Sequence, residues 1–238
     1  MIESINNEKI RYYSKLKDKK YRDQENLYLV STPHLVTEAL KQNLVKVVFL
    51  LENKENIYGE VTIVTKNVMK KLSNLDTPPE VVAVVKKEKE KDIEGNVLLL
   101  DAIQDPGNLG TIIRSAVAFN IDTIILGNGC VDLYNEKTLR AAEGMHFHIN
   151  ILNENLNETI PKLKNNNYSI IGTKLTDGIE LEKFDQPTKY ALIMGNEGRG
   201  VEPELLNECD KYLYIKMNKK CESLNVGVAT SIILYELN

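Results

Sequence analysis

Paired cysteines, metal-ligand spacings and long apolar runs are missing from this 238-residue chain, and each absence removes a class of protein. Its three cysteines, Cys130, Cys209 and Cys221, are scattered and odd in number, which fits a reducing compartment and no disulfide framework. There is no Cys-x-x-Cys pair to suggest zinc, and no metal is expected. No apolar stretch approaches the roughly 20 residues needed to cross a bilayer. The start, Met1-Ile2-Glu3-Ser4, lacks a basic segment followed by an apolar one. A cytoplasmic protein with no membrane partner is therefore expected. An excess of positive charge is also lacking: 30 basic side chains stand against 34 acidic ones, a net charge of −4, which argues against nucleic-acid binding through overall charge.

That total hides an asymmetry. Residues 1–94 carry 17 basic and 15 acidic side chains, whereas residues 95–238 carry 13 and 19. Near the start, Lys9, Arg11, Lys15, Lys17, Lys19, Lys20 and Arg22 face only Glu8 and Asp18. Such a strip can follow phosphates; charge alone equally allows a solvated helix face.

The first ninety residues alternate helix-like stretches (8–20, 33–42, 67–75) with β-rich runs (28–30, 45–51, 61–64, 81–85), the pattern of a small α/β module. Residues 86–92, Lys-Lys-Glu-Lys-Glu-Lys-Asp, are nearly pure charge and cannot be buried cheaply. The domain boundary is placed there, giving domains 1–92 and 93–238. Beyond it, 97–100, 121–126, 168–172, 190–194 and 212–215 read as short buried strands separated by helices, an α/β pattern that implies a parallel sheet covered on both faces. Ligands bind such sheets at the carboxyl ends of the strands. No Gly-x-Gly-x-x-Gly follows the first of these strands, so the dinucleotide fingerprint is absent.

Three segments follow predicted strands. Asp105-Pro106-Gly107-Asn108 is dense in turn formers before a helix that carries Arg114 between apolar positions. Taken alone, it is a cap with a surface arginine. The functional reading has Asn108 and Arg114, about a turn and a half apart, facing one pocket, where a guanidinium binds phosphate or stabilises an alkoxide. Gly195-Asn196-Glu197-Gly198-Arg199-Gly200 is a strand running into a glycine-rich turn, with no following Lys-Ser or Lys-Thr to make a phosphate loop. In Ser223-Leu224-Asn225-Val226, Ser223 is expected to cap a helix reaching about Glu236, with Asn225 in its first turn and Gly227, Ala229, Thr230 and Ser231 keeping one face thin.

In order, spacing and neighbours these segments resemble the SpoU-type (TrmH-like) RNA ribose methyltransferases of the SPOUT superfamily. The resemblance implies a C-terminal trefoil-knot domain, S-adenosylmethionine as methyl donor, a ribosomal or transfer RNA substrate, and a homodimer whose active site is completed across the interface. It assigns Asn108, Arg114, Glu197, Ser223 and Asn225 to catalysis, and Gly195, Ile215, Leu224, Thr173, Met194 and Met217 to the donor. Lys9, Arg11, Lys15, Lys19, Arg22 and Arg140 are assigned to RNA. The N-terminal region is similar to the family's small L30e-like substrate-binding module. Two departures stand out: Val30-Ser31-Thr32 replaces Val-Glu-Gly, and Lys216 and Lys219 replace a proline and a later glycine. The second departure leaves Lys216 and Lys219 free either to reshape the donor loop or to reach RNA phosphate. Two other readings remain open, a noncatalytic RNA-binding factor with the knotted fold and a methyltransferase acting on a base nitrogen; the paired Asn108 and Arg114 argue for ribose.

Overall fold

Residues 81–85 are buried without exception, so the strand that holds them must be covered on both faces. In the computed structural model, which describes residues 1–175 and 177–238, that strand lies inside a four-stranded sheet. The sheet contains β1 (Leu27–Val30), β2 (Val45–Leu51), β3 (Thr62–Val64) and β4 (Val81–Lys86), ordered β1-β4-β2-β3. Only β2 and β3 are parallel. Side chains of β4 alternate between two cores. Val82 and Val84 join Ile10, Tyr13, Leu16, Val68, Met69 and Leu72 from α1 (Glu8–Ser14), the turn after it and α4 (Lys66–Leu72). Val81, Ala83 and Val85 join Leu35, Val36 and Ala39 from α3 (Pro33–Lys41).

The helix expected over 8–20 is broken. A 3₁₀ turn, Lys15–Lys17, follows α1, and Asp18 adopts an extended backbone and accepts a hydrogen bond from Lys20 N, opening α2 (Lys19–Glu25) as an N-cap. Pro33 at the first turn of α3 follows Thr32, whose Oγ1 accepts from Leu35 N.

The chain forms two units: Met1–Lys89 together with Asp132–Phe147, and Glu90–Val131 together with His148–Asn238. The second unit begins with β5 (Val97–Leu100), α5 (Pro106–Ala118) and β6 (Thr123–Leu126). The chain then contributes α6 (Glu136–Ala142) to the first unit, where Leu139 and Phe147 enter the core shared by α3 and β4. It returns as β7 (Asn150–Asn153), α7 (Leu156–Asn165), β8 (Ser169–Thr173), β9 (Ile179–Glu180), β10 (Tyr190–Met194), α8 (Pro203–Asn207), β11 (Lys211–Tyr214) and α9 (Val226–Glu236). These strands form a seven-stranded sheet, β7-β6-β5-β10-β8-β11-β9, parallel at every pairing. Because β10 lies between β5 and β8, the segments after β5 and β10 meet at the same edge, where strand order reverses. Among the described residues no helix is long and apolar enough to cross a membrane.

Candidate active site

Asp105 caps α5, its Oδ1 accepting from Asn108 N at 2.8 Å, and this fixes Asn108 in the first turn at the carboxyl edge of the sheet. The Asn108 side chain then joins all three segments. Its Nδ2 donates to Glu197 Oε1 at 3.0 Å, and its Oδ1 accepts from Asn225 Nδ2 at 2.8 Å. Glu197 also accepts main-chain N–H bonds from Asp105 at 3.1 Å and Gln104 at 3.3 Å. Burial works to raise the Glu197 carboxyl, but the Asn108 amide and these main-chain donors outweigh it, and the net shift is downward. Glu197 is therefore an anion at neutral pH. It anchors a chain of amides and has no proton to give.

The third segment corrects one expectation. Asn225 is the N-cap of α9, its Oδ1 accepting from Gly227 N at 3.0 Å and Val228 N at 3.2 Å, while Ser223 stays outside the helix and exposed. Asn225 caps through Oδ1 while donating through Nδ2 to Asn108. The thin face of α9 packs on α5: a Cβ at Gly227 would lie 3.2 Å from the Thr111 side chain, and the Ser115 and Ser231 hydroxyls are 2.6 Å apart.

The glycine turn is equally constrained. Asn196 and Gly200 exchange two main-chain hydrogen bonds of 2.9 Å, and Asn196 Oδ1 accepts from Gly198 N and Arg199 N. A Cβ on Gly195 would lie 2.1 Å from Gly200 C, so only glycine fits. Ala102 takes a left-handed φ of 52°, and its carbonyl accepts from Asn196 Nδ2 at 2.7 Å, which ties the strand end after β5 to this turn.

Beside this network lies a cavity of about 570 Å³. Its walls include Thr173, Met194, Gly195, Ile215, Met217 and Leu224, together with Glu197 and Ser223. Sequence reasoning missed Tyr214, Ala229 and Ile233, which also line it. Of these only Ala229 carried a signal, as part of the thin helix face. Lys216, beside the cavity wall, is turned to an ion pair with Glu180 at 2.9 Å, which Lys183 shares at 3.0 Å. Lys216 first and Lys183 second hold the Glu180 carboxyl below the usual range.

Several expected residues are placed elsewhere. Arg114 is exposed on α5, has no hydrogen bond or ion pair among the described residues, and does not line the cavity. Six residues of α-helix turn through about 240°, so Asn108 and Arg114 leave α5 about 120° apart and cannot face one pocket within a single chain. Arg22, expected to meet RNA, is 7% exposed. Its Nη1 donates to the Leu16 and Lys17 carbonyls, and its Nη2 pairs with Asp132. The rest of the basic strip is partly engaged: Lys9 lies over Phe49, Lys15 over Tyr21, and Lys19 pairs with Asp23, while Arg11 is exposed. Arg140, on α6 in the first unit, lines a shallow concavity with Lys137 and His34. Ser31, at the first departure noted above, donates to Glu136 Oε1 at 2.8 Å.

A cavity at the carboxyl edge of a parallel sheet, bounded by a glycine turn and an amide–carboxylate network, defines an α/β enzyme that holds a cosubstrate at the strand-order reversal. Comparison with known proteins narrows this. Residues 95–235 match the SpoU rRNA Methylase family, and residues 7–83 match an MRM3-like substrate binding domain. The 23S rRNA (guanosine(2553)-2'-O)-methyltransferase RlmP of Bacillus subtilis is 38% identical, over 99% of this chain and 98% of its own. An AdoMet-bound rRNA methyltransferase from Sinorhizobium meliloti is similar at a TM-score of 0.86 and 27% identity, over 99% of this chain and 96% of its own. A TrmH-family structure from Porphyromonas gingivalis gives 0.87 and 30%, over 98% of both chains. The chain belongs to the SpoU rRNA methylase family.

Proposed function

We propose that the protein transfers a methyl group from S-adenosylmethionine to a ribose 2′-hydroxyl of ribosomal RNA, the substrate class named for the Bacillus subtilis relative; transfer RNA, named beside ribosomal RNA for a Staphylococcus aureus relative, is the other substrate class. The observation that carries this reading is the Asn225–Asn108–Glu197 series standing beside a cavity whose walls hold all six residues expected at the donor. The cavity fits that ligand: its volume is in the range of small-molecule sites, Gly195 offers bare main chain, and Ile215, Met217 and Leu224 offer apolar contact. When bound, the donor supplies an electrophilic methyl group on a sulfonium. The chain's own contribution is to hold donor and hydroxyl in line and exclude water.

In this reading the first unit binds RNA and the second is the knotted catalytic domain, working in the cytoplasm; the division into 1–92 and 93–238 expected from the sequence gives way to one in which Asp132–Phe147 joins residues 1–89. A second copy completes the site. On α9, Val228, Ile232 and Tyr235 follow one stripe and are 47%, 39% and 69% exposed, an apolar face for a partner to cover. Arg114, turned away from its own cavity, then serves the site of the other copy. A guanidinium, which keeps its charge throughout, is no general base. Its role is to stabilise the alkoxide that develops as the 2′-hydroxyl loses its proton, and Arg11 and Arg140 contact RNA phosphate.

Incubation with ribosomal RNA and isotope-labelled donor, followed by nucleoside digestion and mass spectrometry, should give label on ribose. Label on a base would overturn the reading. In the same assay Arg114→Lys should lower the rate by about 10²-fold, as loss of a placed oxyanion donor does; a lysine variant at full rate would remove any specific guanidinium role. The Lys216–Glu180 pair holds the loop that carries Ile215 and Met217, so Glu180→Gln should raise the KM for S-adenosylmethionine several-fold at nearly constant kcat. The double variant with Lys216→Met should be no worse than either single change. Additive losses would show that the two residues act separately.

A further inference from the structure

The first unit has an open concavity of about 530 Å³ where the start of the chain, the 3₁₀ turn after α1 and the end of α4 come together. Three amines line it, those of Lys17, Lys70 and Lys71, against one carboxylate, Glu3. None of the three has an ion-pair partner within 4 Å among the described residues, unlike Lys19, Arg22 and Lys87 of the same unit. Lys70 and Lys71 close the last turn of α4, where cations are favoured by the helix dipole whether or not a ligand is present. Lys17 closes the 3₁₀ turn after α1. It comes from a different element and is half-buried, and its Nζ makes one long contact of 3.4 Å to the Ser73 carbonyl. Burial, then the neighbouring Lys71, press its pKa down, and Glu136 only partly opposes them. The elements that bring the amines together are fixed in the core by Leu16, Val68, Met69 and Leu72, so the charges are held close by the fold itself.

A half-buried cation crowded by another, with no ion-pair partner within 4 Å among the described residues and Glu136 relieving it only in part, is a place for an external anion. Resting on the reading that the protein acts on RNA, we infer that this concavity seats backbone phosphate of the RNA substrate. Lys17 is the fixed contact, with Lys70 and Lys71 at its mouth. Its contribution is independent of base sequence and dependent on salt, because each neutralised phosphate releases counterions.

Fluorescence anisotropy of a ribosomal RNA fragment and of an unrelated hairpin, each across a salt series, tests this on the full chain. Lys17→Gln with Lys71→Gln should weaken both RNAs alike and make the slope of log affinity against log salt shallower by about one to two, at 0.7–0.9 per phosphate. Calorimetric binding of S-adenosylmethionine should be unchanged. An unaltered slope in a folded double variant overturns the seat. Should the change at Lys17 disturb folding, Lys70→Gln with Lys71→Gln, both exposed, must still lower the slope or the seat is refuted. Wild-type protein that binds neither RNA would instead sink the underlying RNA reading, so the two failures are distinct.

Discussion

Leu224→Arg should abolish S-adenosylmethionine binding while leaving the protein folded. Leu224 lines the cavity beside Ser223 on the same wall and just before Asn225, whose position is set as the cap of α9 and by Asn108. The two N–H groups on Asn225 Oδ1 and the amide bond to Asn108 leave the backbone at 224 little freedom to turn a longer side chain outward. An arginine there meets Met194, Ile215 and Met217, and brings a positive charge to a pocket whose ligand is a sulfonium. The expected loss exceeds about 100-fold in affinity, roughly 2.7 kcal/mol or more. Leu224→Ala, which removes apolar contact without adding charge, should cost about 1.5–3 kcal/mol, the worth of one buried leucine. Isothermal titration of wild type and both variants, with thermal melts as the folding control, gives the answer. Wild-type affinity in a folded Leu224→Arg protein would place the donor elsewhere.

What the sequence made legible, and what it hid, divides along the range of the interactions. The tight turn at Gly195 could be read because it depends on neighbours within a few residues, a strand end and a run of glycines, whereas Leu224 was assigned only through the family resemblance. Pairings across the chain could not be read. Nothing local distinguishes Ser223 from Asn225 as the cap; the choice is made by Asn108, more than a hundred positions away. Arg114 was misplaced for a different reason, since a spacing of six residues suggests nearness along a helix but fixes a direction only once the 3.6-residue turn is counted. The strand β7, Asn-Ile-Leu-Asn, gave no alternating pattern because it is a short edge strand with asparagine at both ends. Within the basic strip, Arg22 was the clearest misreading. Charge density in a sequence says nothing of which cations the fold will use internally, and Arg22 is used in that way.

Arg22→Ala should therefore act on stability and leave RNA recognition alone. The guanidinium is buried, it donates to two main-chain carbonyls at 2.9 and 2.8 Å, and it pairs with Asp132, whose side chain is itself 18% exposed. The pair joins α2 to the segment Asp132–Phe147, 110 positions later, at the point where that segment enters the first unit. Removing one partner of a buried pair strands the other charge and costs about 3–5 kcal/mol. The melting temperature should fall by on the order of 10 °C for a chain of this size. Arg22 Nε has no hydrogen-bond partner among the described residues, so the pairing is not ideal, and a well-packed Arg22→Met/Asp132→Leu double variant should recover much of the loss. The salt dependence of RNA binding by the surviving folded protein should match wild type. A variant with native melting temperature and a shallower salt slope would restore Arg22 to the RNA surface. The same contacts bear on truncation. Leu139 and Phe147 belong to the core formed with Tyr28, Leu35 and Val85, so cutting the chain at residue 90 would leave them uncovered. At about 1.5–3 kcal/mol for each large apolar side chain returned to water, a fragment beginning there should aggregate before its donor affinity can be measured.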